Sequence, residues 1–191
     1  ADGRGPHALI RIYLGGMSYD ARPAPADFPS FYHRYVEEAA GGDMLDAMRI
    51  AQRTMHEVLA RVPSTMEEHR YAPEKWSIKE VLQHVIDAER IFAYRALRFS
   101  RGDSTELPGF EENDYAPSSQ ADRRTLEDLL HEYDVVREAS LLLFQSLPSE
   151  ALDRSGNANG RSINVRAIGW VIAGHSNHHA TVLAERYLSN N

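Results

Sequence analysis

From residue 43 onward the apolar positions recur at three- and four-residue intervals, the spacing of one face of a helix. Met44, Leu45, Met48, Ala51, Met55, Val58, Leu59 and Val62 form the first such face, and Pro63 stops it. Ser77 with Glu80 three residues later is a capping-box pattern, so a second helix starts there. It runs to about Ser100, buries Ile78, Val81, Leu82, Val85, Phe92, Ala96 and Phe99, and stops before Gly102 and Asp103. A third helix takes Leu126, Leu129, Leu130, Tyr133, Val136, Ser140, Leu143, Phe144 and Leu147, and Pro148 ends it. The fourth starts near Ile163 or Asn164, carries Ile168, Val171, Ile172, Val182 and Leu183 on its apolar face, and ends around Leu188. Residues 107–120 (LPGFEENDYAPSSQ) and the Gly- and Asn-rich residues 153–161 read as loops. With no strand expected between residues 43 and 188, the pattern predicts an all-α, antiparallel-type four-helix bundle.

Residues 1–42 read differently. Pro23, Pro25 and Pro29 interrupt them, and the alternating run ALIRIYL resembles a strand without a partner. They are expected to be an N-terminal tail, with Met17 as a natural start and residues 1–16 foreign to the protein; residues 43–191 form the bundle domain.

Apolar residues at 42% and charged residues at 26% place the 191-residue chain among globular proteins and away from disordered ones. Its net charge of −7 offers no global positive field for phosphate backbones, so a nucleic-acid partner is not expected. The absence of Cys removes disulfides, thiolate metal ligands and a cysteine nucleophile. The longest apolar stretches, such as residues 168–174, fall far short of the ~20 residues that span a bilayer. No secretory pattern is visible at the N-terminus, which makes the cytoplasm the expected location.

The chain has nine histidines, and four of them, His84, His175, His178 and His179, fall within predicted helices where they could act together. At ~100° per residue, Ile168, Val182 and His179 lie within roughly 40° of His175, so His175 and His179 point into the apolar face. An i, i+4 pair stacks its side chains one turn apart, close enough to hold one divalent ion. The glutamate that follows the first histidine in HExxH metal helices is Ser176 here, so that motif's general base is missing. His178 lies on the edge of the stripe. A core histidine bonded to a carbonyl is the structural alternative for this pair, and His84 on the second helix is the candidate third ligand.

Three segments resemble the DinB-like superfamily of bacterial four-helix-bundle proteins over about residues 43–188. They are the W-S-x-x-E-V-x-x-H run ending at His84, LPGFEENDYAP, and the G-H-x-x-H-H run ending at His179. The resemblance implies a DinB/YfiT-like bundle, commonly dimeric, with a metal triad on His84, His175 and His179. It implies a divalent ion, zinc or nickel foremost and iron or manganese in some members, with a coordination position left for water or substrate. Members with known chemistry are mostly thiol-dependent S-transferases and isomerases, and many others are described as metal-dependent hydrolases. The function expected is therefore that of a metal-dependent enzyme acting on a small molecule, by thiol S-transfer or hydrolysis. The alternative is a non-catalytic dimeric bundle with a binding or stress-related scaffolding role.

Asp87, three residues after His84, is the candidate catalytic carboxylate, able to orient His84 or a bound water; a solvated surface carboxylate is the alternative. Glu111, Glu112, Asp114 and Tyr115 lie in a loop where a lid or substrate contact could sit. Arg95 shares the angular sector of His84 and could bind a substrate carboxylate, or form a salt bridge or snorkel to water instead. Trp76 and Trp170 read as packing anchors.

Overall fold

The computed structural model describes Tyr19 and residues 21–189; the strand-like run at residues 8–14 lies outside them. Two 3-10 turns, Pro25–Asp27 and Ser30–Tyr32, lead into α1 (His33–Glu38). The elements that follow are α2 (Met44–Leu59), α3 (Ile78–Ser100), α4 (Glu112–Ser118), α5 (Leu126–Gln145), α6 (Ser149–Leu152), a hairpin of β1 (Ser155–Ala158) and β2 (Arg161–Asn164), and α7 (Val165–Val182). α7 continues as a π turn over Leu183–Tyr187.

α2, α3, α5 and α7 are the four predicted bundle helices, and their starts are set by side chains. Asp43, Ser77, Thr125 and Asn164 each accept a hydrogen bond from the backbone N–H three residues on, which satisfies one of the donors a helix N-terminus leaves unpaired. The Ser77–Glu80 capping box is complete. α5 and α7 each pack against both α2 and α3, so α2 and α3, consecutive in sequence, lie diagonally across the bundle.

The apolar interior divides into two clusters, one around Met44, Phe99, Phe144 and Trp170 and the other around Met55, Leu82, Leu129 and Leu183. A layer of buried polar groups ties the helices together between them. Arg137 of α5 is fully buried; its Nε and Nη2 donate to the Glu89 carboxylate of α3 at 2.8–3.1 Å, and its Nη1 donates to the Met48 carbonyl of α2. Burial acts to deprotonate the guanidinium, but the adjacent Glu89 charge outweighs it and holds Arg137 more firmly protonated than usual. Tyr133 of α5 and Ser176 of α7 share a hydrogen bond at 2.8 Å.

Three expectations are corrected. Residues 153–161 are not a plain loop: Ser155 to Ala158 pair antiparallel with Arg161 to Asn164. The turn residues Asn159 and Gly160 both have positive φ, +53° and +69°, as a type I′ hairpin requires. Leu107 pairs with this hairpin through its N–H to the Asn157 carbonyl and its carbonyl to the Asn159 N–H. Within the 107–120 loop, residues 112–118 are helical, because the Glu111 carboxylate caps them by accepting from the Asn113 N–H. Residues 21–42, read as a tail, instead pack on the bundle and bury Phe28, Val36 and Ala39. Arg22 fastens the segment: its guanidinium donates to the Val36 and Ala39 carbonyls at the end of α1 and lies 4.2 Å above the Trp170 ring.

The approach of α1 to α7 depends on Gly174. A Cβ there would stand 1.7 Å from the Tyr35 carbonyl oxygen, a backbone atom that cannot rotate aside. Gly174→Ala is expected to push α1 away and lower the melting temperature; an unchanged melt would contradict the contact. Arg137→Ala leaves Glu89 buried and unpaired and is expected to cost about 3–5 kcal/mol in urea unfolding. Replacing both residues with Met should recover most of that loss.

Candidate metal centre

Three imidazoles meet where α3 faces α7. His84 comes from the second turn of α3 and His175 and His179 from successive turns of α7, so the i, i+4 spacing stacks the last two as the sequence predicts. Their Nε2 atoms converge: His175 Nε2 lies 3.0 Å from His84 Nε2 and 3.2 Å from His179 Nε2. One potential ligand atom from each ring lies within 4.8 Å of the others.

The site is largely removed from solvent, with His84 at 9% and His175 at 7% of full exposure. Burial disfavours the charged ring, so the His84 pKa falls to about 4, and burial also holds His175 and His179 well below the usual imidazole range. All three are therefore neutral at pH 7, the form in which imidazole offers a lone pair to a metal.

The donor set fits a divalent ion. Two nitrogens each ~2.1 Å from one ion stand roughly 3.0–3.4 Å apart, and the observed separations around His175 fall in that range. Neutral rings carry one proton each, too few to bridge these contacts and still serve the outer nitrogens. The outer Nδ1 of His179 is buried without a hydrogen-bond partner.

A cavity of about 420 Å³ opens beside the trio. One face of α3 lines it at helical spacing with His84, Ala88, Phe92 and Arg95. Trp76 closes the end nearest His84, its ring 4.8 Å away, and its carbonyl accepts from the Tyr187 hydroxyl at 2.7 Å. Tyr35 stands edge-on to His175 at 5.3 Å, and the hairpin contributes Asn159 and Arg161. Glu112, at the start of α4, is the carboxylate on the cavity wall.

Asp87 does not take the predicted position. Three residues past His84, its side chain turns roughly 60° away around α3. It accepts from Gln83 Nε2 at 2.9 Å, faces Arg90 and does not line the cavity. Of the loop candidates, Glu112 reaches the cavity, Tyr115 lines an adjoining cleft and Glu111 caps α4. His178 stays at the edge, its Nδ1 3.7 Å from the Glu38 carboxylate. Trp76 is a wall of the site as well as a packing residue, whereas Trp170 is wholly buried. Tyr32 and Tyr35 were missed because their segment looked like a tail. The signal was present in FYHRYV, where Tyr32, Tyr35 and Val36 share a helical face.

A family model described as the DinB superfamily matches residues 45–183. No curated protein matches the chain significantly. Among solved structures, YfiT from Bacillus subtilis, described as "a probable metal-dependent hydrolase with an unusual four-helix bundle topology", superposes with a TM-score of 0.64. The two are 12% identical, over 88% of this chain and 94% of YfiT, so the likeness is one of fold.

Because the three histidines have lowered pKa values, the metal-free protein should lose stability as pH falls from about 6.5 through about 4, where the unfolded chain takes up protons before the native one. Melting temperatures across that window check this. A triple His→Gln variant should show a shallower decline, and an equal decline would contradict the burial of neutral rings.

Proposed function

Since the chain belongs to the DinB superfamily, we propose that it is a metal-dependent enzyme, with His84, His175 and His179 holding one divalent ion and the adjoining cavity admitting a small substrate. The observation that carries this reading is the convergence of three neutral Nε2 atoms beside open space. Three protein ligands with room for a fourth distinguish catalytic from structural metal sites.

A divalent ion there would supply Lewis acidity, lowering the pKa of a water or thiol that it binds. The chain's own residues divide the remaining work. Phe92, Trp76 and Tyr35 exclude water from the inner cavity, which strengthens electrostatic interactions inside it. Glu112 is placed on the wall to accept a proton, the role a hydrolase needs filled. YfiT's description favours hydrolysis in the same fold.

Thiol S-transfer is the second reading, and a specific observation favours it. The position that supplies the base in HExxH helices is Ser176, and its hydroxyl is engaged with Tyr133 rather than facing the trio. A thiol ionised at the site needs no base of that kind, and the absence of Cys leaves no competing thiolate in the chain.

Elemental analysis of the purified protein should find about one divalent metal per chain, and His175→Ala with His179→Ala should abolish it; equal metal in both would remove the site. Ester hydrolysis, compared with thiol conjugation to monochlorobimane, should separate the two readings. Either activity should disappear with a chelator, and activity that survives would contradict metal dependence.

A further inference from the structure

The cavity carries a positive charge that the histidine site does not use. Arg95, on the α3 stripe that includes His84, keeps only 6% of its exposure. Among the described residues no carboxylate lies within ion-pair distance of it. Its Nη2 donates to the Pro108 carbonyl at 3.0 Å, and its guanidinium carbon sits 5.8 Å from the Phe92 ring. A buried arginine without a counter-ion is uncommon, because removal of the charge from water is tolerated when an anion replaces the lost hydration. The other arginines of α3 differ: Arg90 pairs with Glu132 and Arg98 with Asp103.

The geometry points to Arg95 as the subsite for a substrate carboxylate, held at the opposite end of the cavity from the three histidines. This deepens the proposed function by naming a substrate class, and it rests on that reading for the cavity's being the site of reaction. The two stations are three turns apart on α3, ~16 Å of rise at the backbone. Both side chains lean toward the helix N-terminus, and the longer arginine reaches further in that direction than the histidine, which narrows the gap. Phe92 is common to both, 6.2 Å from the His175 ring on one side and facing the Arg95 guanidinium on the other. The matching substrate is an elongated acid with an apolar middle and its reacting group several bonds from the carboxylate.

A carboxylate suits the site better than a phosphate. A single guanidinium supplies one positive charge, which balances a carboxylate monoanion and leaves a phosphate dianion only half neutralised. The α4 N-terminal turn that borders the cavity carries Glu112 and Asp114, which would repel a dianion. Arg161, exposed on the hairpin and also without an ion pair among the described residues, adds positive charge at the rim.

The test uses 4-phenylbutyrate and its neutral amide, followed by Trp76 fluorescence in chelator-treated full-length protein, so that no metal can bind the acid. Wild type should bind the acid at least tenfold more tightly than the amide. Arg95→Gln should bring the two within about twofold, chiefly by weakening the acid. Arg95→Lys should retain part of the preference, because it keeps the charge and loses the guanidinium's fork of donors. Arg161→Gln should weaken the acid by a smaller factor. Equal affinities in wild type, no saturable binding of the acid, or a preference that survives in Arg95→Gln would each overturn the proposal. If Arg95→Gln does not fold, as circular dichroism would show, the wild-type comparison and Arg95→Lys decide the question. If the protein as purified holds no divalent metal by elemental analysis and yet selects the acid through Arg95, the metal reading falls and the carboxylate subsite stands.

Discussion

The bundle depends on burying opposite charges on facing helices so that each neutralises the other. Arg137 is the centre of that constraint: one guanidinium, wholly buried, reaches Glu89 on α3 and the Met48 carbonyl on α2 from its place on α5. Such a pair adds little net stability over an apolar replacement, since desolvation offsets the attraction. Its effect is on register. Sliding any of the three helices by one turn, ~5.4 Å, would strand a charge in the core. The Tyr133–Ser176 bond extends the same control to α7, one residue from His175. The imidazoles of α3 and α7 therefore meet at a level to which these polar contacts hold the helices.

The same desolvation tunes the histidines. Burial holds the rings neutral, and neutral rings with converging lone pairs are the arrangement a cation stabilises and a proton does not. Gly174 contributes from the next position. Without a Cβ it lets the α1 backbone press against α7, which sets Tyr35 edge-on to His175 and seals that side of the trio.

The bundle helices and the histidine pair of α7 were legible in the sequence because both are written in local periodicity. Capping residues mark where α2, α3, α5 and α7 begin, and helical angles turn His175 and His179 inward, while His84 joined them through the resemblance carried by its motif. What periodicity could not show was which partners a residue at the edge of the stripe would take. Asp87 is one such case: Gln83 and Arg90 draw its carboxylate out of the sector of His84. The hairpin was legible in principle, since Asn159-Gly160 is a strong type I′ turn sequence, but its strands are four residues each and carry little alternation. The N-terminal segment was misread for a physical reason. Its prolines break helical pattern, and its hold on the bundle comes from one stacked arginine and a few aromatic rings rather than from a long apolar face.

These two classes of element have different consequences for chemistry. The histidines and Arg95 stand on long helices whose register the buried polar layer fixes, so the two ends of the cavity are held rigidly relative to each other. The walls between them come from α1, the start of α4 and the hairpin turn, short pieces outside the four bundle helices. A change in those pieces alters the width and polarity of the cavity without moving the histidines. On this scaffold the long helices hold the histidines and Arg95, and the irregular segments laid over them shape the cavity between.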